Sequence, residues 1–325
     1  MENELFEQRT DLSRLNQAVE KIKATISQII VGQQETIDLL IAGILADGHL
    51  LIEGVPGVAK TLTAKLIAKA IDAQYTRIQF TPDLMPSDVI GTSVFNPKTT
   101  DFEFKHGPVF GNIVLIDEIN RAPAKTQSAL FEVMEERQIT VDGQLYKMAE
   151  PFVILATQNP VEQEGTYRLP EAQLDRFLFK VEVKYPTLED EIAILTRQHQ
   201  HKTADQLADI QPVLSAQDII AVRQQVRELF VEPKLLEFAA RIVFETRQNK
   251  SLYLGGSPRA SLAIISSAKA LAAMKGRDFV TPEDIIWVAP AVLRHRIMLS
   301  PDKEMEGATA DEIVAQIIQK IEIPR

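Results

Sequence analysis

Short apolar runs recur along the first half of the chain, each followed by a turn and then by a stretch of helical period. Leu50-Leu51-Ile52, Ile113-Val114-Leu115-Ile116 and Phe152 to Ala156 are continuous rather than alternating, the pattern of strands buried on both faces, and Phe177 to Val183 is a further strand-like run. Tyr75 to Phe80, rich in β formers, adds a fifth. Helical spacing marks residues 1–28 (Leu12, Leu15, Val19, Ile22 and Ile26), Glu35 to Leu45, Leu62 to Ala73 and Lys125 to Arg137. Five strands separated by helices predict a parallel three-layer α/β sheet. Beyond Tyr185-Pro186-Thr187 the strand pattern stops. Helices opened by Thr187, Ser215, Ser257-Pro258 and Thr281-Pro282 take over, with Gly276 closing the third. The expected organisation is an N-terminal helix (1–28), an α/β domain (29–185) and a small all-helical domain (186–325).

Two segments interrupt the alternation. Residues 83–105 carry Pro86, Gly91, Asn96 and Pro97 without a sustained period, and read as a loop or hairpin insertion. Residues 138–148 flank Asp142-Gly143, a two-residue hairpin signal.

Composition narrows the class. A chain of 325 residues with 45% hydrophobic content should fold, as two domains. No apolar run reaches the roughly 20 residues that cross a bilayer. The acidic start Met1-Glu2-Asn3-Glu4 does not look like a secretory leader. No cysteine is present, which removes disulfides and thiol chemistry. These features point to the cytoplasm. The net charge of −10 argues against non-specific binding to nucleic acid, which depends on neutralising phosphates. The five histidines, His49, His106, His199, His201 and His295, show no ligand spacing and read as surface or core residues.

Candidate chemistry gathers where the strands end. Gly54-Val55-Pro56-Gly57-Val58-Ala59-Lys60-Thr61 follows the first apolar run, and Leu62 opens the helix after it. A strand, glycine-bearing turn and helix aim backbone N–H groups at an anion, Lys60 adds a positive charge, and Thr61 offers the hydroxyl a Mg²⁺ ion takes. Ala59 stands where the P-loop formula has its second glycine, so it is expected to keep a negative φ. Read alone, this loop could also be a tight strand-to-helix turn.

Asp117-Glu118 ends the Ile113 strand, where parallel sheets place ligand chemistry. One acidic residue there is common in water. Two adjacent ones downstream of a P-loop suit a Mg²⁺-orienting carboxylate, Asp117, and an unpaired carboxylate, Glu118, that orients the attacking water. Asn159 follows the Phe152 strand and either starts a turn or holds that water. Arg259 lies in the first turn of the helix opened by Ser257, where the macrodipole disfavours a cation. A nearby carboxylate or a phosphate held by another domain would satisfy it. Asn249-Lys250-Ser251-Leu252 lacks the Asp of a guanine-reading NKxD motif.

Taken together, these motifs resemble the AAA+ ATPase superfamily, a branch of P-loop NTPases, and within it the MoxR family. The resemblance spans residues 30–325: Gly54 to Thr61 as Walker A, Ile116 to Ala122 as Walker B, Ala156 to Pro160 as sensor 1, Glu171 to Phe177, and Gly256 to Arg259 as sensor 2. It implies ATP and Mg²⁺ as cofactors and a ring, usually hexameric, with nucleotide between subunits. Arg176 would be the arginine finger, with Arg168 as its rival, and Arg259 the sensor that closes on the phosphate. Residues 83–105 resemble the helix-2 insert and 138–148 the pre-sensor-1 hairpin, both facing the pore. The implied activity is chaperone-like remodelling of partner proteins, often ones with von Willebrand factor A domains. A magnesium-chelatase-type ATPase subunit, a nucleic-acid motor and a nucleotide-binding scaffold are the other readings.

Overall fold

The computed structural model describes residues 11–160, 165–199 and 210–324. Helix α1 (Ser13–Ser27) and α2 (Gln34–Leu45) precede β1 (His49–Gly54), α3 (Lys60–Ala70), a short β2 (Ile71–Asp72) and β3 (Tyr75–Gln79). The first insertion comprises α4 (Pro86–Ile90), β4 (Gly91–Asn96) and β5 (Asp101–His106). Then follow β6 (Ile113–Asp117), α5 (Ala124–Glu136), the hairpin β7 (Gln138–Val141) and β8 (Gln144–Lys147), β9 (Val153–Gln158), α6 (Glu171–Leu174) and β10 (Phe177–Val183). The remainder holds α7 (Leu188–His199), β11 (Leu214–Ser215), α8 (Ala216–Glu228), α9 (Pro233–Gln248), β12 (Leu252–Leu254), α10 (Pro258–Met274), α11 (Pro282–Leu293), β13 (Met298–Leu299), α12 (Pro301–Met305) and α13 (Ala310–Lys320).

The central sheet has the order β10-β1-β9-β6-β3, and every pairing in it is parallel. The continuous apolar runs now have a physical reason. Successive side chains alternate between faces, so Ile113 and Leu115 enter a core shared with α1, α2, α3 and the helical part, while Val114 and Ile116 join Leu130, Phe131 and Met134 of α5. Both faces are covered along β6 and β9, whose residues stay buried almost to the strand ends, whereas β10 and the edge strand β3 keep exposed polar residues on one face. The expected three-layer α/β class is what the chain adopts.

The helical part shares the first core: Ile242, Ala260, Ile264 and Val288 pack in one cluster with Leu50 and Ile52. Residue 186 therefore marks a change of element type, with packing continuous across it. Ser215 caps α8, its hydroxyl accepting from the Asp218 N–H, and the Thr187 hydroxyl accepts from the Asp190 N–H at the start of α7. Ser257 makes no such cap bond. The region is not entirely helical: β12 pairs with β13, and β11 pairs with β2. Pairs of two or three residues are too short to leave a period in the sequence.

Both insertions form hairpins on one side of the molecule. Asp142 and Gly143 have φ of 51° and 77°, as a two-residue turn requires. The Ser93 hydroxyl donates to the Asp142 carboxylate, and the Phe104 and Tyr146 rings lie 4.6 Å apart, so the hairpins brace each other. The N-terminal helix begins at Ser13, and residues 1–10 of the expected segment lie outside the described residues.

Candidate functional site

The parallel sheet brings the C-terminal ends of β1, β6 and β9 together, and the polar residues after each run meet there. A cavity of about 440 Å³ is lined by Pro56 to Leu62 together with Asp117, Glu118, Thr157 and Asn159, with Arg77 and Gln79 completing it. Thus Lys60, Thr61, Leu62, both carboxylates and Asn159 converge as expected. Gly54 and Val55 lie just before the lining. Gly54 is glycine for a steric reason: a Cβ there would come within 2.8 Å of the Val183 carbonyl oxygen.

The loop differs from expectation at Ala59, whose φ is +58° rather than negative. A left-handed Ala costs about 1–2 kcal/mol, and its surroundings hold it there. The Ala59 carbonyl accepts the Thr63 N–H at 2.9 Å, starting α3, and the Gln33 amide donates to the Val58 carbonyl at 3.0 Å. Gly57, at +86°, takes a second left-handed turn at little cost.

Lys60 Nζ donates to the Gly54 and Gln158 carbonyls, spanning the gap between β1 and β9. Asp117, 4% exposed, is fully engaged. Its Oδ1 accepts from the Thr61 hydroxyl at 2.9 Å and the Thr157 hydroxyl at 3.2 Å, and its Oδ2 accepts from Arg77 Nε at 2.7 Å. Glu118 is not the unpaired carboxylate expected. Its Oε2 accepts from Gln79 Nε2 at 2.9 Å and pairs with Arg121 at 3.0 Å, and its backbone adopts φ +58°. Thr157 ties the two acids together, donating to Asp117 while accepting the Glu118 N–H at 3.0 Å.

The donor set suits Mg²⁺: the Thr61 hydroxyl and the Asp117 carboxylate supply hard oxygens side by side. It also suits a nucleotide. Beside the loop, Val31, Gly32, Gln33, Lys184 and Tyr185 help to line a cavity of about 190 Å³. Gln33 Oε1 is buried there, and among the described residues it has no hydrogen-bond partner.

The candidate arginines lie elsewhere. Arg176 precedes β10, whose first residue Phe177 is in register with His49, whereas Gly54 is in register with Val183. The six residues of β1 span about 16 Å at roughly 3.3 Å per residue, so Arg176 stands one strand length from its own phosphate loop. Arg259 is at the same end. One carboxylate, Glu135 on α5, holds both: Arg176 Nη1 is 2.9 Å from one oxygen and Arg259 Nη2 is 2.7 Å from the other. Asp175 lies 3.9 Å from Arg259 and 2.6 Å from Arg296. Arg259 is thus met by carboxylates of its own chain, as a cation in a first helical turn requires. Arg168 stands apart, exposed and paired with Glu171.

Two buried histidines brace this end of the sheet. His49 Nδ1 accepts the Ile154 N–H, which leaves the proton on Nε2 to donate to the Met134 carbonyl. His295 Nε2 donates to the Phe177 carbonyl at 2.9 Å. Burial lowers the His49 pKa to about 4 and that of His295 well below the usual value. Both rings stay neutral.

Sequence reasoning missed Arg77, Gln79, Thr157 and Glu135. The first two left a signal: exposed residues 77 and 79 alternate with buried Ile78 and Phe80, placing both on one face of β3.

The family described as "ATPase family associated with various cellular activities (AAA)" matches residues 49–179, and the AAA lid domain matches residues 244–317. Chaperone MoxR1 of Mycobacterium tuberculosis is 43% identical, covering 92% of this chain and 81% of its own. A crystal structure of a Cytophaga hutchinsonii protein superimposes with a TM-score of 0.87 at 40% identity, covering 97% of both chains. The magnesium-chelatase 38 kDa subunit of Acidiphilium rubrum is more distant, 29% identical over 65% of this chain and 60% of its own. With its fold, its phosphate loop and these similarities, the chain belongs to the MoxR family of AAA+ ATPases.

Proposed function

We propose that the chain hydrolyses ATP with Mg²⁺ within a hexameric ring of identical subunits, and that hydrolysis remodels a client protein in the cytoplasm. The observation that carries this reading is the convergence of Lys60, Thr61, Asp117 and Glu118 on one cavity. Residues 29–185 would hold the nucleotide, and residues 186–325 would act as its lid.

Residues 54–62 cradle the phosphates through backbone N–H groups, and Lys60 exchanges its carbonyl partners for phosphate oxygens. Thr61 and Asp117 would hold Mg²⁺, directly and through water. When bound, Mg²⁺ neutralises charge on the phosphates. Glu118 takes the proton of the attacking water as its partners let go, and Asn159 holds that water by its amide. Gln33 accepts from the base.

Arg176 and Arg259 serve a neighbouring copy. One strand length separates them from their own loop, and a phosphate replacing Glu135 would satisfy both guanidinium groups at once. Such cations act only in the assembled interface, where they stabilise charge developing in the transition state. The hairpins at 83–105 and 138–148 would face the ring pore and grip the client. A von Willebrand factor A domain is the client the family resemblance implies.

The Glu118→Gln variant tests the reading. It should bind ATP, hydrolyse negligibly and retain its client for identification by mass spectrometry. Wild-type rates in both Glu118→Gln and Lys60→Ala contradict it. A magnesium-chelatase-type subunit is the second reading, favoured by the similarity to such a subunit. Purified protein that supports Mg²⁺ insertion with chelatase partners would select it.

A further inference from the structure

Strand β3 is the sheet edge beside the site, and among the described residues it pairs only with β6. Its register sets Arg77 opposite Leu115 and Gln79 opposite Asp117. Arg77 reaches diagonally along this pair to place Nε 2.7 Å from Asp117 Oδ2. The two partners differ in surroundings: the Asp117 side chain is 5% exposed, that of Arg77 54%. The buried carboxylate is fixed by two threonine hydroxyls on Oδ1, whereas the arginine stem lies open to the cavity.

A guanidinium carries five N–H donors in a planar fork, and among the described residues Asp117 is its one hydrogen-bonding partner. The remaining donors lie in a group that lines the same cavity as Lys60 and Thr61. Planar forks of this kind match phosphate oxygens. Oδ1 already accepts two hydroxyls, so a hydrated cation would be met at Oδ2, where the Arg77 guanidinium places a like charge.

Resting on the nucleotide-site reading above, we propose that Arg77 is a phosphate-binding residue parked on Asp117. With nucleotide alone the outer N–H groups would meet a phosphate oxygen while Nε stays on Oδ2, and a cation's water shell would then displace Nε from that oxygen. The exchange is a swap of hydrogen bonds with no covalent step. Cation and arginine compete for one oxygen, so Arg77 both aids phosphate binding and raises the metal concentration the site requires. Walker A and Walker B positions do not include this residue, which comes from the edge strand.

Two binding constants separate this role from a structural one. A fluorescent ATP analogue is titrated into wild type, Arg77→Gln and Arg77→Lys, first in chelator and then across a Mg²⁺ series, with thermal melting checking the fold. Arg77→Gln should bind metal-free nucleotide about tenfold more weakly, the loss expected for a charge-assisted hydrogen bond. The Mg²⁺ concentration giving half of the metal-dependent gain should fall severalfold, because Oδ2 is free. Arg77→Lys, which keeps the charge without the fork, should fall between the two proteins in both. Constants that both weaken, or that both stay, overturn the exchange. Wild type that binds no analogue, like Lys60→Ala, overturns the nucleotide-site reading as well.

Discussion

The two ends of the central sheet are built in opposite ways. At the C-terminal ends, backbone is held in left-handed turns at Gly57, Ala59 and Glu118, and charged groups surround a cavity. At the N-terminal ends, two neutral histidines pin the strands, and arginines meet over the carboxylates of Glu135 and Asp175. One end is a glycine-bearing loop around a cavity; the other holds its arginines on carboxylates. The strands hold the two ends about 16 Å apart. On the proposed reading the complete site therefore belongs to two copies.

The largest effect should come from removing the second end while sparing the first. Arg176→Ala should bind ATP within about twofold of wild type yet hydrolyse it roughly 10³-fold more slowly in steady-state turnover. An active variant assigns the role elsewhere, with Arg168 the first alternative. The converse change at the cradle, Lys60→Ala, should weaken nucleotide binding by about 10²-fold, read by calorimetry, since two charge-assisted bonds to phosphate are lost.

How far the sequence foresaw these two ends differs for a physical reason. The cradle is local: a glycine turn, a lysine and two acids lie next to the apolar runs that place them, so Gly54 to Thr61, Asp117, Glu118 and Asn159 could be read from spacing. All five core strands were legible too: β1, β6 and β9 by apolar runs that burial on both faces leaves, β3 and β10 by β-forming residues that alternate with polar ones. The arginine end is not local. Glu135 is one of several charges on α5, and only the packing of α5 under β10 sets it between Arg176 and Arg259. Arg77 is intermediate, its face legible in the alternation and its partner set by the pairing of β3 with β6. At Ala59 a residue preference gave the wrong sign of φ, because hydrogen bonds from Gln33 and Thr63 impose the turn.

Acid should loosen the arginine end first. His49 has a folded pKa of about 4, below the roughly 6.5 of an exposed histidine. The unfolded chain therefore takes the proton first, and stability is full above about pH 6.5 and lost as pH falls toward 4. The loss should be about 3 kcal/mol for this residue, with His295 adding in the same direction. Urea melts at pH 7.5 and 4.5 should show it, and His49→Gln should flatten the difference.

The smallest effect is at the cradle. Ala59→Gly relieves a left-handed alanine but frees the unfolded chain, so stability should rise by less than about 1 kcal/mol, with ATP affinity unchanged. A large loss would mean that the alanine methyl supports the loop by packing.

The claim that one site is shared by two copies is tested most directly by mixing. Lys60→Ala subunits keep the arginine end and lose the cradle, while Arg176→Ala subunits keep the cradle and lose the arginine. Hydrolysis should be near zero for each alone and should reappear when the two are combined, peaking near equal proportions. A mixture whose rate stays at the sum of its parts would contradict the account.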